Sequence, residues 1–450
     1  MKATITTYGG AGSVTGANFM LSANNTNVLV DCGLIQGQNE ARNAEEFQYN
    51  PTAVEALFVT HAHIDHIGRI PKLVRDGFSG PIYSTPPTKA LAQVMLRDAL
   101  SVMRYKHEAG GPAPIYEQSD IDKALTQWKT AEYGENISAG DIQAQMKNAG
   151  HILGSAMVEI RVGNSDPVLF TGDLGNPDTL LIPTTESPGD ARYVLMESVY
   201  GDRLHERAGD RKKKLREIIQ HTVDVDGELL IPAFSLERTQ VMLYELNELI
   251  EAGEVPQIPV YLDSPLAIEV TEVYSEFTDY FNEEVRDDIA SGDDIFSFSG
   301  LNITRSTEES KAINREGGAK IIIAGAGMSH GGRIIFHEKE YLPKKSTTLL
   351  IVGYQVPGSL GRRLLEGAKE ITIEGRNVPV HARIERLHGY SAHADREDLL
   401  TFVKKATKTE QFIVAMGELS ASSFLAQRIH DYVGKSAHIP QEGERIEIEI

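Results

Sequence analysis

The chain contains a single cysteine, Cys32, in 450 residues. A disulfide framework is therefore excluded, as is a structural zinc site built from several thiolates, and nothing points to an oxidising compartment. Long apolar runs are missing too. Stretches such as Ile321-Ile322-Ile323-Ala324 are soon broken by glycine and charge, so none approaches the roughly 20 residues that cross a bilayer. The opening Met1-Lys2-Ala3-Thr4-Ile5-Thr6-Thr7 alternates like a strand and lacks the apolar core of a signal peptide. These absences predict a cytoplasmic protein without a membrane partner. Basic residues are in deficit, 44 Lys and Arg against 64 Asp and Glu, for a formal net charge of −20. Such a chain does not attract nucleic acid indiscriminately, and local basic groups must make any contact with a polyanion. Internal repeats and low-complexity segments are absent.

What is present is a 41% hydrophobic complement in a chain long enough for two or more domains. Short strand signals broken by Gly and Asn fall at residues 3–8, 18–22, 27–30, 55–60, 157–162 and 168–171, with a helix over 88–105. From about residue 228, apolar strands at 229–233, 260–262, 320–324 and 349–353 alternate with amphipathic helices such as 237–252. That alternation suggests a parallel, Rossmann-like sheet. A strand at 411–415 and a helix over 420–433 follow. The order is that of a first domain interrupted by an α/β insertion and completed by the C-terminal segment. The acidic stretch 269–294 and the basic run Arg211-Lys212-Lys213-Lys214 read as solvated helix faces.

The chemistry concentrates in Thr60-His61-Ala62-His63-Ile64-Asp65-His66, which follows the apolar Ala56-Leu57-Phe58-Val59. Three imidazoles and a carboxylate at a strand end allow one loop to wrap a cation, and nitrogen and oxygen donors suit zinc, with manganese or iron as alternatives. His151, between glycines in Ala149-Gly150-His151-Ile152-Leu153-Gly154, and Asp173, in Thr171-Gly172-Asp173-Leu174-Gly175, are weak signals alone. With the cluster they complete two coordination sets, one carboxylate being free to bridge. Asp31, closing Val28-Leu29-Val30-Asp31, is then the acceptor that orients a ligand imidazole from behind.

His-x-His-x-Asp-His with the later histidine and aspartate resembles the metallo-β-lactamase superfamily signature. The resemblance implies an αββα sandwich in which His61, His63 and His151 hold one zinc, Asp65 and His66 contribute to a second, and Asp173 bridges. Further motifs extend it over nearly the whole chain: Glu197-Ser198-Val199-Tyr200-Gly201-Asp202, Asp263-Ser264-Pro265, Gly327-Met328-Ser329-His330-Gly331-Gly332-Arg333 and Gly389-Tyr390-Ser391-Ala392-His393-Ala394-Asp395. These resemble the β-CASP nucleases, and among them the bacterial and archaeal homologues of the nuclease subunit of the cleavage and polyadenylation specificity factor. By that resemblance residues 1–202 and 381–450 form the metallo-β-lactamase domain, and 203–380 an inserted Rossmann-like β-CASP cap. Glu197 and His393 then lie near the scissile phosphate.

The chemistry so implied is hydrolysis of phosphodiester bonds in single-stranded RNA, as in RNA processing, by a metal-activated hydroxide. Asp65 would accept the proton of the attacking water. His393, held by Glu197, would donate one to the leaving oxygen. Arg333, Arg362 and Arg363, with Ser329 and His330, are candidate substrate contacts, since glycines let backbone approach a phosphate while guanidinium forks bind it. One departure from the family pattern stands out. Where the family carries a motif C histidine, this chain has Met416 in Val414-Ala415-Met416-Gly417-Glu418. A thioether is a poor zinc ligand, so up to two zincs per chain are expected, the second weakly held. The departure keeps two alternatives open, a DNA nuclease of the same family and a weakly active RNA-binding subunit. A small-molecule hydrolase is disfavoured by the long cap. A homodimer is compatible with all of these.

Overall fold

The computed structural model describes all residues except 206–207, 354, 356–357 and 388, together with the side chains of 208–210. The chain divides into two units. The first comprises Met1–Pro177, Ile182–Leu204 and His393–Ile450, and the second Asp178–Leu181 and His205–Ala392.

Unit one holds two seven-stranded sheets. The first runs Arg445–Glu449, Lys2–Gly9, Asn18–Ala23, Thr26–Val30, Ala56–Phe58, Ile82–Ser84, Trp128–Thr130. The second runs Ser436–His438, Gln411–Val414, Tyr193–Met196, Val168–Phe170, Ala156–Val162, Ile142–Asn148, Ile137–Ala139. Strand alternation sorts side chains between two cores. Val158, Ile160, Phe170, Leu195 and Ile413 of the second sheet meet Ile5, Val28, Val30 and Phe58 of the first. Their neighbours in sequence, Met157, Leu169, Val194, Met196, Phe412 and Val414, point the other way. They pack against Leu399, Leu400, Val403 and Leu425 from the helices Arg396–Lys405 and Leu419–Arg428. Tyr193–Met196 and Val168–Phe170 are buried along their whole length because both faces are covered. The result is the expected αββα sandwich. The final helix ends as a π turn over Ile429–Val433, so only its first part is regular α-helix.

Unit two is built on six parallel strands in the order Leu301–Ile303, Val260–Leu262, Lys320–Ala324, Glu228–Pro232, Thr348–Ile351, Arg383–Arg386. Lys320–Ala324 and Glu228–Pro232 are fully buried, as central strands covered by helices must be. A hairpin pairs Glu370–Ile373 with Arg376–Pro379. The basic run on the helix Ala208–Asp224 meets the sequence expectation at the exposed Lys213 and departs from it at Arg211 and Lys214. Arg211 is only 3% exposed; its guanidinium donates to the Gly389 carbonyl at 2.7 Å and lies 4.7 Å from the Tyr390 ring centroid. Lys214 donates to the Arg386 carbonyl at 2.6 Å. These cations are inner fasteners of the unit, whereas Glu269, Glu272 and Glu276 are exposed as expected. Among the described residues, no helix is long and apolar enough to cross a membrane.

Candidate metal centre

The site lies in unit one, where strands of both sheets end. Thr26–Val30 gives way to Asp31, whose backbone is left-handed at φ 61° and whose amide donates to the Phe58 carbonyl of the neighbouring strand at 2.9 Å. Asp31 Oδ1 accepts from the Thr60 amide and Oδ2 from the Thr60 hydroxyl, both at 2.8 Å. His66 Nδ1 lies 2.7 Å from the same Oδ2. Asp31 therefore sets the imidazole: with the proton on Nδ1 and shared with the carboxylate, Nε2 faces the site as a donor.

His61 and His63 follow the strand Ala56–Phe58, and His63 caps the short helix Ile64–Ile67 that carries Asp65 and His66. The turn is held by Ala17, whose amide donates to the Asp65 carbonyl at 2.9 Å. Gly33 presses on that carbonyl so closely that a Cβ would lie 1.5 Å from its oxygen. The second sheet supplies the rest. His151 is reached through a left-handed Gly150, and its amide and that of Ile152 donate to Ser155 Oγ. Gly175 packs on the Gly150 carbonyl, 1.6 Å from where a Cβ would stand, and so locks the Asp173 and His151 loops together.

Four atoms converge. His63 Nδ1 is 3.0 Å from His61 Nε2 and 3.2 Å from His151 Nε2, while Asp173 Oδ2 is 3.4 Å from His61 Nε2 and 3.6 Å from His151 Nε2. Ligands about 2.0–2.1 Å from a tetrahedral ion stand about 3.3 Å from one another, so this set fits one divalent cation. Burial, reinforced by mutual repulsion, lowers the His61 pKa and holds those of His63 and His151 well below the usual range. Neutral imidazoles are the form a metal requires. On the far side of Asp173, Oδ1 lies 3.4 Å from His66 Nε2, and both atoms are buried without a hydrogen-bond partner. Paired orphans of this kind are what a second ion would satisfy. Asp65 is half-buried beside them; burial raises its carboxyl, Asp173 adds to that rise, and His66 and His61 oppose it. Burial also disfavours charge on Asp173, but His66 and His61 outweigh it and keep the carboxylate well below its ordinary range.

Glu197 and His393 form an adjoining pair. Glu197 Oε1 accepts from the Leu174 amide at 2.7 Å and Oε2 from the Val199 amide at 3.1 Å, with His393 Nδ1 at 3.2 Å from Oε1. His393 bridges to Gly175, and the next residue, Ala394, donates to the Leu174 carbonyl at 2.7 Å. His393 Nδ1 is 3.9 Å from Asp173 Oδ2. Burial opposes charge on His393, but Glu197, Asp173 and Asp65 lift it to about 9.

Met416 is buried at φ 44°, and its sulfur lies over Gly10, 2.5 Å from where a Cβ would stand. Its thioether belongs to the apolar core shared with Phe19. The proposed substrate contacts all lie in unit two. Arg333 is committed to protein acceptors: Asp263 at 2.7 Å and the carbonyls of Thr304 and Arg305 at 3.0 and 2.9 Å. Its guanidinium thus serves as an inner clamp of unit two. Arg362 donates to Glu366 at 2.7 Å, Arg363 and His330 are exposed, and Ser329 is buried at φ 56°. Two residues escaped the sequence reading. Thr60 ties Asp31 to the cluster, and its only signal is its place just before His61. Tyr200 lies with its ring 5.8 Å from that of His393.

A two-sheet sandwich with imidazole and carboxylate donors gathered at its strand ends is a metallohydrolase architecture. Comparison with known proteins places it more closely. Residues 20–176 match the Metallo-beta-lactamase superfamily domain, 239–364 the Beta-Casp domain, and 377–440 the Zn-dependent metallo-hydrolase RNA specificity domain. The chain is 37% identical to Ribonuclease TTHA0252 of Thermus thermophilus, over 93% of this chain and 96% of that one. It is 31% identical to Transcription termination factor FttA of Methanosarcina mazei, over 95% of this chain and 68% of the relative, and 32% identical to FttA of Pyrococcus horikoshii, over 99% and 71%. A crystallised protein of unknown function from Enterococcus faecalis shares the fold, with a TM-score of 0.59 at 13% identity over the whole of both chains. The chain belongs to the β-CASP family of the metallo-β-lactamase superfamily.

Proposed function

We propose that the chain is a metal-dependent ribonuclease that hydrolyses phosphodiester bonds of single-stranded RNA. The observation that carries this reading is the set of four donor atoms, His61 Nε2, His63 Nδ1, His151 Nε2 and Asp173 Oδ2, all within 4.8 Å of one another with neighbouring pairs at 3.0–3.6 Å, beside a carboxylate–imidazole pair. The ribonuclease name of a relative aligned over nearly its whole length supports RNA as the substrate. His61, His63, His151 and Asp173 would hold a first zinc, and Asp173, Asp65 and His66 a second, weaker ion, zinc or manganese. Ions so held would supply Lewis acidity and a water acidic enough to act at neutral pH.

This chain's own groups divide the remaining work. Asp65 takes up the proton of the attacking water. His393, held by Glu197 and lifted by it towards the cationic form, protonates the leaving oxygen. Asp31 keeps His66 in the tautomer that points Nε2 inward. Metal analysis, with incubation of end-labelled and internally labelled RNA and DNA, tests the proposal. Stoichiometric zinc and RNA fragments are expected. Cleavage of DNA alone, or RNA binding without cleavage at full metal loading, would overturn it.

A further inference from the structure

Unit one also carries two short runs of rings and guanidinium groups, the first beginning at the candidate site and the second on the last helix, joined by a backbone hydrogen bond. The Tyr200 ring is 5.8 Å from that of His393, and the Arg203 guanidinium lies 5.8 Å from the Tyr200 centroid. The Arg203 carbonyl accepts the Arg396 amide at 3.1 Å. The Arg396 guanidinium stands 5.7 Å from the Phe424 ring, and Arg428 stands 5.2 Å from Phe424 and 5.0 Å from Tyr432. Phe424, Arg428 and Tyr432 recur every four residues along the last helix and its π turn, so they share one face. The two rings are 40% and 66% exposed.

Acids temper the cations along this line. Glu397 lies 3.0 Å from Arg396 and 3.7 Å from Arg428, and Asp202 lies 2.7 Å from Arg203. The line is thus no electrostatic funnel, in keeping with a chain of net charge −20. What it offers is flat, apolar and cationic faces. Nucleobases stack on such faces when they are not already stacked in a duplex.

We infer that the Tyr200–Arg203–Arg396–Phe424–Arg428–Tyr432 line is a stacking track for unpaired RNA, leading between the metal centre and the C-terminal helix. The inference rests on the ribonuclease reading above. Because stacking supplies most of its affinity, binding along it should depend only shallowly on salt, unlike a phosphate-tracking groove.

The test uses metal-loaded protein and phosphorothioate oligoribonucleotides of about 3 and about 12 nucleotides, lengths that fall short of and span a typical single-strand site. Phe424→Ala with Tyr432→Ala is expected to weaken the longer probe roughly tenfold or more and to leave the shorter one unchanged, whereas tryptophan at both positions should retain binding. Cross-linking of 4-thiouridine RNA to the unaltered chain should map to the peptide containing Phe424 or Tyr432, and this decides the matter if the alanine pair does not fold. Equal affinity of the alanine pair for the longer probe overturns the track. So does a loss that accompanies a change of oligomeric state in sedimentation, which would assign the surface to a protein partner. If the unaltered enzyme binds the longer probe with this ring dependence but cleaves no RNA, the ribonuclease reading fails and the track stands.

Discussion

At the scale of single residues, the site separates groups that would only hold an ion, such as His63, from His393, which would move a proton; Asp65 would do both. His63 Nδ1 lies within 3.2 Å of both His61 Nε2 and His151 Nε2, so it is central to the first donor set. His63→Ala is expected to lose hydrolysis together with metal, read by elemental analysis of the purified variant. His393 lies beside that set, its Nδ1 3.9 Å from Asp173 Oδ2 and its ring 4.5 Å from that of His151. His393→Ala is accordingly expected to keep its metal while kcat falls roughly 10²–10⁴-fold, the usual contribution of a general acid. Metal loss in that variant would show that His393 is a ligand instead. Met416 offers a third experiment. If its position has lost a ligand that the second set still expects, Met416→His should tighten the second ion and speed cleavage in a metal titration. Unchanged affinity with a lower melting temperature would instead mean that the thioether is simply packing against Gly10 and Phe19, where a bulkier polar ring does not fit.

At the scale of elements, strands buried on both faces were legible from sequence alone. Val260–Leu262 and Lys320–Ala324 occupy the very residues their apolar, β-branched runs predict. The metal cluster was legible for a different reason: four ligand-type side chains within six positions have few other uses. Less visible were elements whose signal is short. The hairpin Glu370–Pro379 shows only Ile371, Ile373 and Val378 around a left-handed Gly375, and Arg445–Glu449 only a brief alternation. The bond of Arg333 to Asp263 was not legible because the partner lies 70 residues away, and no local pattern announces a clamp. That clamp has a testable pH signature. Burial alone would raise the Asp263 carboxyl, but donation from His337, Ser310, Thr304 and Arg333 holds it down at about 2. A depressed carboxylate adds stability above its unfolded value near 3.8, and that stability is lost as pH falls through 2. Asp263→Asn should flatten this acid limb and cost roughly 3–5 kcal/mol at neutral pH, because it strands the Arg333 charge. Glu338, on the helix Ile334–Tyr341, has the opposite sign. Burial pushes it up to about 8, so stability declines as pH rises from 4.5 through 8. Glu338→Gln should melt higher than the unaltered chain at pH near 9 and alike below pH 4.5, as the isostere cannot ionise.

At the scale of the whole molecule, every donor of the candidate metal centre found among the described residues belongs to unit one. Calorimetry should therefore resolve a transition that responds to chelator and one that does not. An ion present at about a thousand times its Kd stabilises by roughly 4 kcal/mol, so chelation should lower the responsive transition by roughly 8–16 °C. A uniform shift of a single transition would instead show that the units melt as one. The connectivity of unit one has a further consequence. The strand Lys2–Gly9 pairs on one side with Asn18–Ala23 and on the other with Arg445–Glu449, and the second sheet is incomplete without Gln411–Val414 and Ser436–His438. During synthesis, residues 205–392 emerge before any of these late strands, so unit two can finish folding while unit one still lacks them. His393 is made later still than His61, His63 and His151. A nascent chain that has reached residue 392 thus holds His61, His63, His151 and Asp173 but neither His393 nor the strands that complete both sheets of unit one, so the site is finished only in the last part of translation.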